Sequence, residues 1–188
     1  MKNQVYVIDD GQKVYNDRSV GVSLFIFTAD KSGKWYVLCN QRGNRTSDSK
    51  LMWNVPSGYL DWGEDGAKAA VRETKEECGL DISWRWVTEA EHSTSPEEHK
   101  QHIIFRYYAI VPSYYLEKKL ISASDEEDEV RNIKWIPLHD LRDYNFAFNQ
   151  DKTIERIFTD YVLLEKYGVV LQKLYGPLDI FGKLCVLL

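Results

Sequence analysis

The chain has 188 residues and a mass of 22.0 kDa, the size of one ordinary domain with at most a small extension. Charged residues make up 28% and hydrophobic residues 44%, which is a globular rather than a disordered composition. Asp and Glu (29) outnumber Lys and Arg (24), so the net charge is −5. This charge argues against binding to duplex nucleic acid, which requires basic side chains to neutralise phosphates. It does not argue against a small phosphorylated ligand, because a bound metal ion reverses the local sign.

The sequence carries no signal for secretion or for a membrane anchor. Cys39, Cys78 and Cys185 are odd in number and widely spaced, which disfavours a disulfide framework or a zinc site and suits a reducing compartment. Residues 1–12 contain two aspartates where a signal peptide needs an apolar core. No uninterrupted apolar run reaches the length of about 18 residues that a spanning helix needs. We therefore expect a cytoplasmic protein without a membrane partner.

The first half of the chain predicts a β-hairpin followed by a broken strand. Residues 20–27 (VGVSLFIF) indicate a buried strand, residues 29–33 a turn, and residues 35–40 (WYVLCN) the returning strand. Residues 41–49 are polar and predict a loop. Residues 53–58 predict a short strand that Pro and Gly interrupt.

The second half predicts three further strands and a helix. Residues 82–88 (ISWRWVT) alternate strictly, which is typical of a strand with one polar side, and the two Trp side chains on its other face are expected in the core. Residues 102–111 predict a long strand and residues 131–137 a shorter one. Residues 151–167 have an apolar face at helical spacing, and a glycine follows them, so we expect a helix.

The segment of residues 64–79 predicts the helix that matters most for function. It is rich in good helix formers and ends at Gly79, a residue type typical of helix ends. On a helical wheel, one arc of about 100° carries the side chains expected to face the core: Ala67, Ala70, Val71, Thr74 and Cys78. A separate arc carries three carboxylates: Glu73, Glu76 and Glu77.

Three carboxylates on one helical face repel one another, since residues three or four apart lie about 5–6 Å apart between Cβ atoms. A hard divalent cation such as Mg²⁺ or Mn²⁺ removes that repulsion and prefers oxygen ligands. The arc therefore indicates a metal platform. The alternative is an exposed acidic face with no ligand, because Glu is common on protein surfaces.

The wider spacing favours the metal platform. The chain matches the pattern Gly-x5-Glu-x7-Arg-Glu-U-x-Glu-Glu-x-Gly-U, where U is bulky and apolar. Its seven fixed positions are Gly58, Glu64, Arg72, Glu73, Glu76, Glu77 and Gly79. At ordinary residue frequencies, chance would produce such a match in on the order of one in a million chains of this size. The pattern is the Nudix box, and the chain resembles the Nudix hydrolase (MutT-like) family over roughly residues 19–167.

Two positions depart from the family pattern. Thr74 stands at the first U position, where we expect a small packing cost and a hydroxyl bond to the carbonyl four residues earlier. Ser57 precedes the box where the family usually has Gly. Neither departure removes a carboxylate.

The resemblance implies an α/β/α sandwich around a mixed β-sheet, in a domain of residues 1–167. It also implies water attack on phosphorus in a nucleoside diphosphate linked to another moiety, with Mg²⁺ or Mn²⁺ as cofactor. Pro96, 16 residues past Leu80, resembles the ADP-sugar pyrophosphatase subgroup, so ADP-ribose or another nucleotide sugar is the first substrate to expect. The alternatives are a nucleoside triphosphate house-cleaning enzyme, a nucleotide-sensing module without catalysis, and a structural domain with a coincidental box.

Carried over by position, the resemblance implies a set of metal ligands. Glu76 and Glu77 are the main ligands, Glu73 is a further ligand or the catalytic base, and the backbone carbonyl of Ser57 also contacts metal. Arg72 is implied to orient a box carboxylate, Glu73 or Glu64, through a charge-assisted bond. The remaining box residues are expected to be structural: Gly58, Glu64 and Gly79.

Many members of the family use a further carboxylate from a loop before the last strand. Here residues 124–129 (SDEEDE) precede that strand, and we rank Glu126 and Glu127 above Glu129 as an extra ligand or general base. The alternative is a solvated acidic loop, since runs of like charge usually face water.

Three residues near the box are candidates for substrate binding: Arg42, Trp53 and Tyr59. Residues 168–188 form an apolar extension that would be costly to expose. We expect this extension to dock on its own domain or on a partner subunit, and a homodimer is common in the family.

Overall fold

The computed structural model contains nine β-strands and two α-helices within the residues that it describes, which are 4–7, 13–16, 20–44, 49–94, 103–122 and 129–164. The first two strands, β1 (Gln4–Val7) and β2 (Lys13–Asn16), pair only with each other and run antiparallel. The other elements, in chain order, are β3 (Val20–Ala29), β4 (Trp35–Arg42), β5 (Trp53–Asn54), β6 (Ser57–Tyr59), α1 (Gly66–Cys78), β7 (Thr88–Ser93), β8 (Ile103–Ile110), β9 (Val130–Pro137) and α2 (Gln150–Ile157).

Strands β3 to β9 form one seven-stranded mixed sheet in the order β5-β4-β3-β8-β7, with β6 paired to β3 and β9 paired to β4. The pair β3 and β8 is parallel, from Val20 opposite Ile103 to Phe27 opposite Ile110. The other pairs of this sheet are antiparallel. The predicted hairpin, long strand and last strand are therefore confirmed, within one or two residues at most of their ends.

The two helices lie on opposite faces of the sheet, because successive side chains of a strand point to opposite sides. On β3, Leu24 and Ile26 belong to the core that packs on α1, whereas Phe25 and Phe27 belong to the core that packs on α2. All four side chains are fully buried. The expected α/β/α sandwich around a mixed sheet is confirmed.

Helix α1 starts and ends on residues that stabilise its termini. The Asp65 side chain accepts hydrogen bonds from the backbone N–H groups of Ala67 and Lys68 at the N-terminus. Gly79 ends the helix in the left-handed conformation, with φ 66°. The helix thus begins two residues later than the predicted segment. The Thr74 hydroxyl donates to the carbonyl of Ala70 at 2.8 Å, as expected.

Strands β3 and β4 separate beyond their hairpin, and this opening positions the start of the box. They pair only through Phe27–Ala29 and Trp35–Val37. Farther along, β6 pairs with the same edge of β3 and β5 with the same edge of β4, while the Leu24 N–H donates to the Pro56 carbonyl at 3.0 Å. The segment that leads into the box is thereby held in the middle of the sheet.

The predicted strand over residues 82–88 is wrong. Trp84–Trp86 form one 3₁₀ turn, capped by the Ser83 hydroxyl, which accepts from the backbone N–H of Arg85 at 3.3 Å. Such a local bond competes with strand pairing, and β7 begins only at Thr88. Trp84 and Trp86 are 47% and 43% exposed, so the expectation that they lie in the core is also wrong.

The predicted last helix is divided into two kinds of helix. Regular α2 continues after Ile157 as a π-helical segment, Phe158–Leu163. Its buried side chains follow the predicted apolar face: Ile154, Ile157, Phe158 and Val162. The rest of that helix and the extension of residues 168–188 lie outside the described residues. No helix among the described residues is long and apolar enough to cross a membrane.

Candidate active site

Arg72 on α1 donates hydrogen bonds to three carboxylates and to one backbone carbonyl at once. Its Nε and Nη2 atoms each donate to Glu64 at 3.0 Å, and its Nη1 atom donates to Glu73 at 2.8 Å and to Glu76 at 3.0 Å. Nη2 also donates to the carbonyl of Tyr59 at 3.1 Å. The sequence predicted a bond from Arg72 to Glu73 or Glu64, and the structure contains both bonds. Hydrogen bonding to Arg72 lowers the pKa of Glu64, which keeps this carboxylate ionised.

Glu77 is a buried carboxylate, only 7% exposed, and not part of an acidic surface. It accepts a hydrogen bond from the backbone N–H of Ser57 at 2.9 Å and another from the Asn40 side chain. Burial raises its pKa well above the usual value, and the charges of Glu73 and Glu129 add to this effect. The alternative of a merely solvated acidic face is therefore wrong for this residue.

Glu73 and Glu76 differ in exposure. The Glu73 side chain is 14% exposed and that of Glu76 is 46% exposed. Burial raises the pKa of Glu73, the guanidinium of Arg72 opposes this shift, and the charges of Glu76 and Glu129 reinforce it. At Glu73, burial thus outweighs the ion pair with Arg72, and at Glu77 it outweighs the bonds from Ser57 and Asn40.

Gly58 lets the box approach α1 closely. A Cβ atom at this position would overlap the carboxylate of Glu73, so a side chain cannot be accommodated there without moving Glu73. Two features favour glycine at position 79. Its backbone is left-handed, and a Cβ atom there would overlap the carbonyl oxygen of Ile121. Local geometry thus requires Gly79, whereas a side chain at Gly58 would displace the Glu73 carboxylate.

The donor set suits a hard divalent cation, since it consists of carboxylates and the carbonyl-bearing segment at Ser57. In the described part of the chain, no three His, Cys, Asp or Glu side chains already converge on one point. The reason is that Arg72 bonds Glu73 and Glu76, while Glu77 is turned towards Ser57. A cation would add positive charge where burial already makes the ionised carboxylates unfavourable.

Glu129 lies closer to this cluster than its low rank in the sequence suggested. Its charge acts on both Glu73 and Glu77, and its backbone carbonyl accepts from the N–H of Gly43 at 2.7 Å. The sequence feature that indicated Glu129 was its position directly before β9. Because β9 pairs with β4, this end of β9 lies beside the candidate site. Glu126 and Glu127 lie outside the described residues, and their ranking stays a prediction.

The three candidates for substrate binding occupy different environments. Tyr59 is 59% exposed beside the box. Trp53 is 7% exposed and packs edge-on against Tyr144 in the core next to α2, with ring centroids 5.2 Å apart, so it offers little ring surface to a ligand. The Arg42 guanidinium lies 5.3 Å from the ring centroid of Phe148, a residue that sequence reasoning missed.

Two buried asparagines were also missed. Asn40 bonds Glu77, and the Asn54 side chain donates to the Ser57 hydroxyl at 2.9 Å. Both residues are 2% exposed, and within the described part of the chain the side-chain carbonyl oxygen of each has no hydrogen-bond partner. The available signal for Asn40 was its place as the first polar residue after the apolar run of β4.

Comparison with known proteins identifies the family. A family model for the NUDIX domain matches residues 17–157, which is more than half of the chain. The chain therefore belongs to the Nudix family, the class of pyrophosphohydrolases that the box and the sandwich fold define.

Two relatives show the range of the family. The chain is 28% identical over 147 residues to a U8 snoRNA-decapping enzyme of Homalodisca vitripennis, a match that covers 73% of this chain and 79% of that protein. It is 38% identical over 55 residues to an RNA pyrophosphohydrolase of Sphingopyxis alaskensis, covering 29% of this chain and 32% of that protein.

Solved structures show the same fold. The NUDIX domain of Shewanella oneidensis NrtR, solved with ADP-ribose, superposes with a TM-score of 0.60 at 19% identity and covers 74% of this chain and 86% of that chain. The Ap4A hydrolase of C. elegans superposes with a TM-score of 0.54 at 23% identity, and the match covers 73% of this chain and 93% of that chain. At this identity the likeness concerns the fold alone.

Proposed function

We propose that this chain hydrolyses a pyrophosphate bond in a nucleoside diphosphate linked to another moiety, with Mg²⁺ or Mn²⁺ as cofactor. The observation that carries the proposal is the bonding of Arg72 to Glu64, Glu73 and Glu76 beside the buried Glu77. This arrangement groups four carboxylates around a single guanidinium, and two of them, Glu73 and Glu77, are largely buried. A bound cation would offset the cost of burying their negative charge.

Within this proposal, Glu73, Glu76, Glu77 and the backbone carbonyl of Ser57 hold the metal ion. The metal supplies charge neutralisation on the pyrophosphate and a lowered pKa for bound water. Arg72 fixes the orientation of the carboxylates through its planar fork. A carboxylate accepts the proton of the attacking water.

The base in this reaction is either Glu73 or a carboxylate of the loop before β9. Glu129 is favoured among the loop residues by its electrostatic effect on Glu73 and Glu77. Glu126 and Glu127 remain candidates from the sequence pattern.

The first substrate that we propose is ADP-ribose or another nucleotide sugar. The position of Pro96 in the sequence supports it, and the Shewanella domain shows that this fold accommodates ADP-ribose. A sensing role without catalysis is disfavoured, because all four glutamates of the box are present.

A second candidate is the 5′ end of an RNA, either capped or triphosphorylated. The specific observation in its favour is the match to the decapping enzyme, which extends over 147 residues. Nucleoside triphosphates are a third class that the same site chemistry could cleave.

The decisive experiment is to incubate the pure protein and Mg²⁺ or Mn²⁺ with ADP-ribose, nucleotide sugars, dNTPs, Ap4A, and capped or 5′-triphosphate RNA. Products are separated by chromatography. Glu76→Gln and Glu77→Gln should each reduce turnover by orders of magnitude while the fold persists, and Glu117→Gln at an exposed site is the control. Unchanged rates in both variants would refute the metal assignment. Nucleotide binding without cleavage of any compound would favour a sensor.

A further inference from the structure

Phe148 combines an unfavourable backbone conformation with an exposed aromatic ring. Its φ and ψ are 55° and 28°, in the left-handed region, and the next residue, Asn149, is left-handed too. Side chains without the special properties of Gly, Asn or Asp rarely adopt this conformation because Cβ crowds the backbone. The Phe148 side chain is 56% exposed. Neither feature contributes to the stability of the core.

Hydrogen bonds on both sides of Phe148 hold the backbone in this conformation. The Trp53 N–H donates to the carbonyl of Asn145 at 2.8 Å, and Trp53 forms a parallel bridge with Phe146. On the other side, the Val55 N–H donates to the side-chain oxygen of Gln150 at 2.8 Å. Hydrogen bonds on either side thus attach the kink formed by Phe148 and Asn149 to the segment that leads into the Nudix box.

The kink turns one phenylalanine outward while its neighbours are buried. Phe146 is 7% exposed and Phe158 is 2% exposed, both in the core beside α2. The ring of Phe148 instead lies beside the Arg42 guanidinium, 5.3 Å from its Cζ atom to the ring centroid. Strain retained at an exposed position is most often found at functional sites.

This pair adjoins the carboxylate cluster. Arg42 is the last residue of β4, and Asn40, two residues earlier and about 7 Å away along a strand, bonds Glu77. The next residue, Gly43, bonds the backbone of Glu129. The pair therefore lies at the edge of the candidate active site, on the strand that carries part of it.

We propose that Phe148, together with Arg42, forms the subsite that holds the nucleobase of the substrate. The inference rests on the proposed function and adds to it the part of the site that recognises the nucleoside. An exposed aromatic ring offers a stacking surface for any base, and a guanidinium beside it stacks on the same planar groups. The subsite would thus favour substrates that carry a base, with weak discrimination among bases.

The test compares ligands with and without a base. Binding of AMP, GMP, CMP and ribose 5-phosphate to the intact protein in Mg²⁺ is measured by calorimetry. The nucleotides should bind more tightly than ribose 5-phosphate by about 5- to 150-fold, the range expected for stacking of one base. Phe148→Gly should abolish this difference and leave ribose 5-phosphate binding unchanged, whereas Phe148→Trp should retain it. Tyr114→Gly, which alters an aromatic residue with 53% exposure, is the control and should bind as the wild type does.

Thermal unfolding separates a binding role from a structural one. Because Gly adopts the left-handed conformation without strain, Phe148→Gly should melt at the same or a higher temperature than the wild type. A wild type without preference for nucleotides, or a Phe148→Gly variant that keeps it, would overturn the proposal. A Phe148→Gly variant that has a lower melting temperature and binds neither the nucleotides nor ribose 5-phosphate would also overturn the proposal, in favour of a structural role. Binding is measured without turnover, so the two proposals can fail separately. If the wild type cleaves no compound and Phe148→Gly still removes the preference for nucleotides, only the proposed function is refuted.

Discussion

Arg72 contacts Glu64, Glu73 and Glu76 through a planar group with donors in fixed directions. Lysine has the same charge, but its compact ammonium group cannot reproduce a two-point bond to Glu64 together with bonds to two other carboxylates. The geometry of the fork, and not only its charge, therefore determines how the carboxylates are arranged.

We expect Arg72→Lys to lower kcat/KM by at least about 10-fold and the free energy of unfolding by about 1–2 kcal/mol, because charge-assisted bonds are lost. Kinetics and urea unfolding provide the measurement. Lys75→Gln on the same helix is the control, since its pair with Asp81 is exposed on both sides and such pairs contribute roughly 0–1 kcal/mol. Equal activity in Arg72→Lys and the wild type would show that charge alone suffices.

Gly58→Ala should disrupt the site by steric overlap with Glu73. Because the overlap is with the end of a flexible side chain, we expect the Glu73 carboxylate to move aside with little change in stability and a fall in kcat/KM of at least about 10-fold. Gly33→Ala introduces the same methyl group into open space in the hairpin and is the control for activity, which it should leave intact. Its left-handed backbone (φ 88°) makes this change costly in stability, so the two variants are compared by kcat/KM. If Gly58→Ala retained full activity, the close approach would have no role in catalysis.

Among the elements, β7 is attached to α2 by a small network of charges. Glu91 on β7 accepts hydrogen bonds from Arg106 on β8 at 3.0 Å and from two nitrogen atoms of Arg156 on α2, one of them at 2.7 Å. Hydrogen bonding to Arg156 is the main reason why the pKa of Glu91 is lowered. The network joins the edge of the sheet to the helix on its face.

Glu91→Gln should lower the free energy of unfolding by about 1–2 kcal/mol at pH 7. A carboxylate with a lowered pKa stabilises the fold above its unfolded pKa of about 4.3, and this contribution is lost as the pH falls through the folded pKa. The difference between wild type and variant should therefore shrink below about pH 4. Urea unfolding at pH 7 and pH 3.5 tests this, with the exposed Glu155→Gln as control. A difference independent of pH would contradict it.

At the scale of the whole molecule, we expect the candidate site to reduce stability when no cation is bound. The folded pKa values of Glu73 and Glu77 are raised, mainly by burial. A carboxylate of this kind contributes stability below its unfolded pKa, and this stability is lost as the pH rises through the folded pKa. Ionisation of the site thus opposes folding, and a divalent cation should reverse the effect.

Saturating Mg²⁺ or Mn²⁺ should raise the melting temperature by about 5–10 °C relative to EDTA, since ligand at 100 times its Kd contributes about 2.7 kcal/mol. The rise should be larger at pH 8 than at pH 5.5, because the carboxylates are ionised at the higher pH. The double variant Glu76→Gln, Glu77→Gln should show no rise. An identical melting temperature with metal and with EDTA would contradict a metal site in the folded protein.

The box and the main elements could be predicted from the sequence because they depend on local patterns. Helix α1 follows from helix formers ended by Gly79, and the strands from apolar runs bounded by turn residues. The error at Trp84 and Trp86 arose because a period of two over seven residues resembles a strand, although a hydroxyl nearby stabilises a tight turn instead.

The sequence by itself determined the family and the class of enzyme, and it predicted the carboxylates of the candidate site. It could do so because the spacing of the seven box residues is a local property of one helix and the segment before it. Only the tertiary structure decided which of these groups are buried, which carboxylates share Arg72, that the charge of Glu129 acts on Glu73, and that Phe148 lies beside Arg42. The physical reason is that burial and contact depend on strand pairing and on packing between residues far apart in the chain, which no local pattern records.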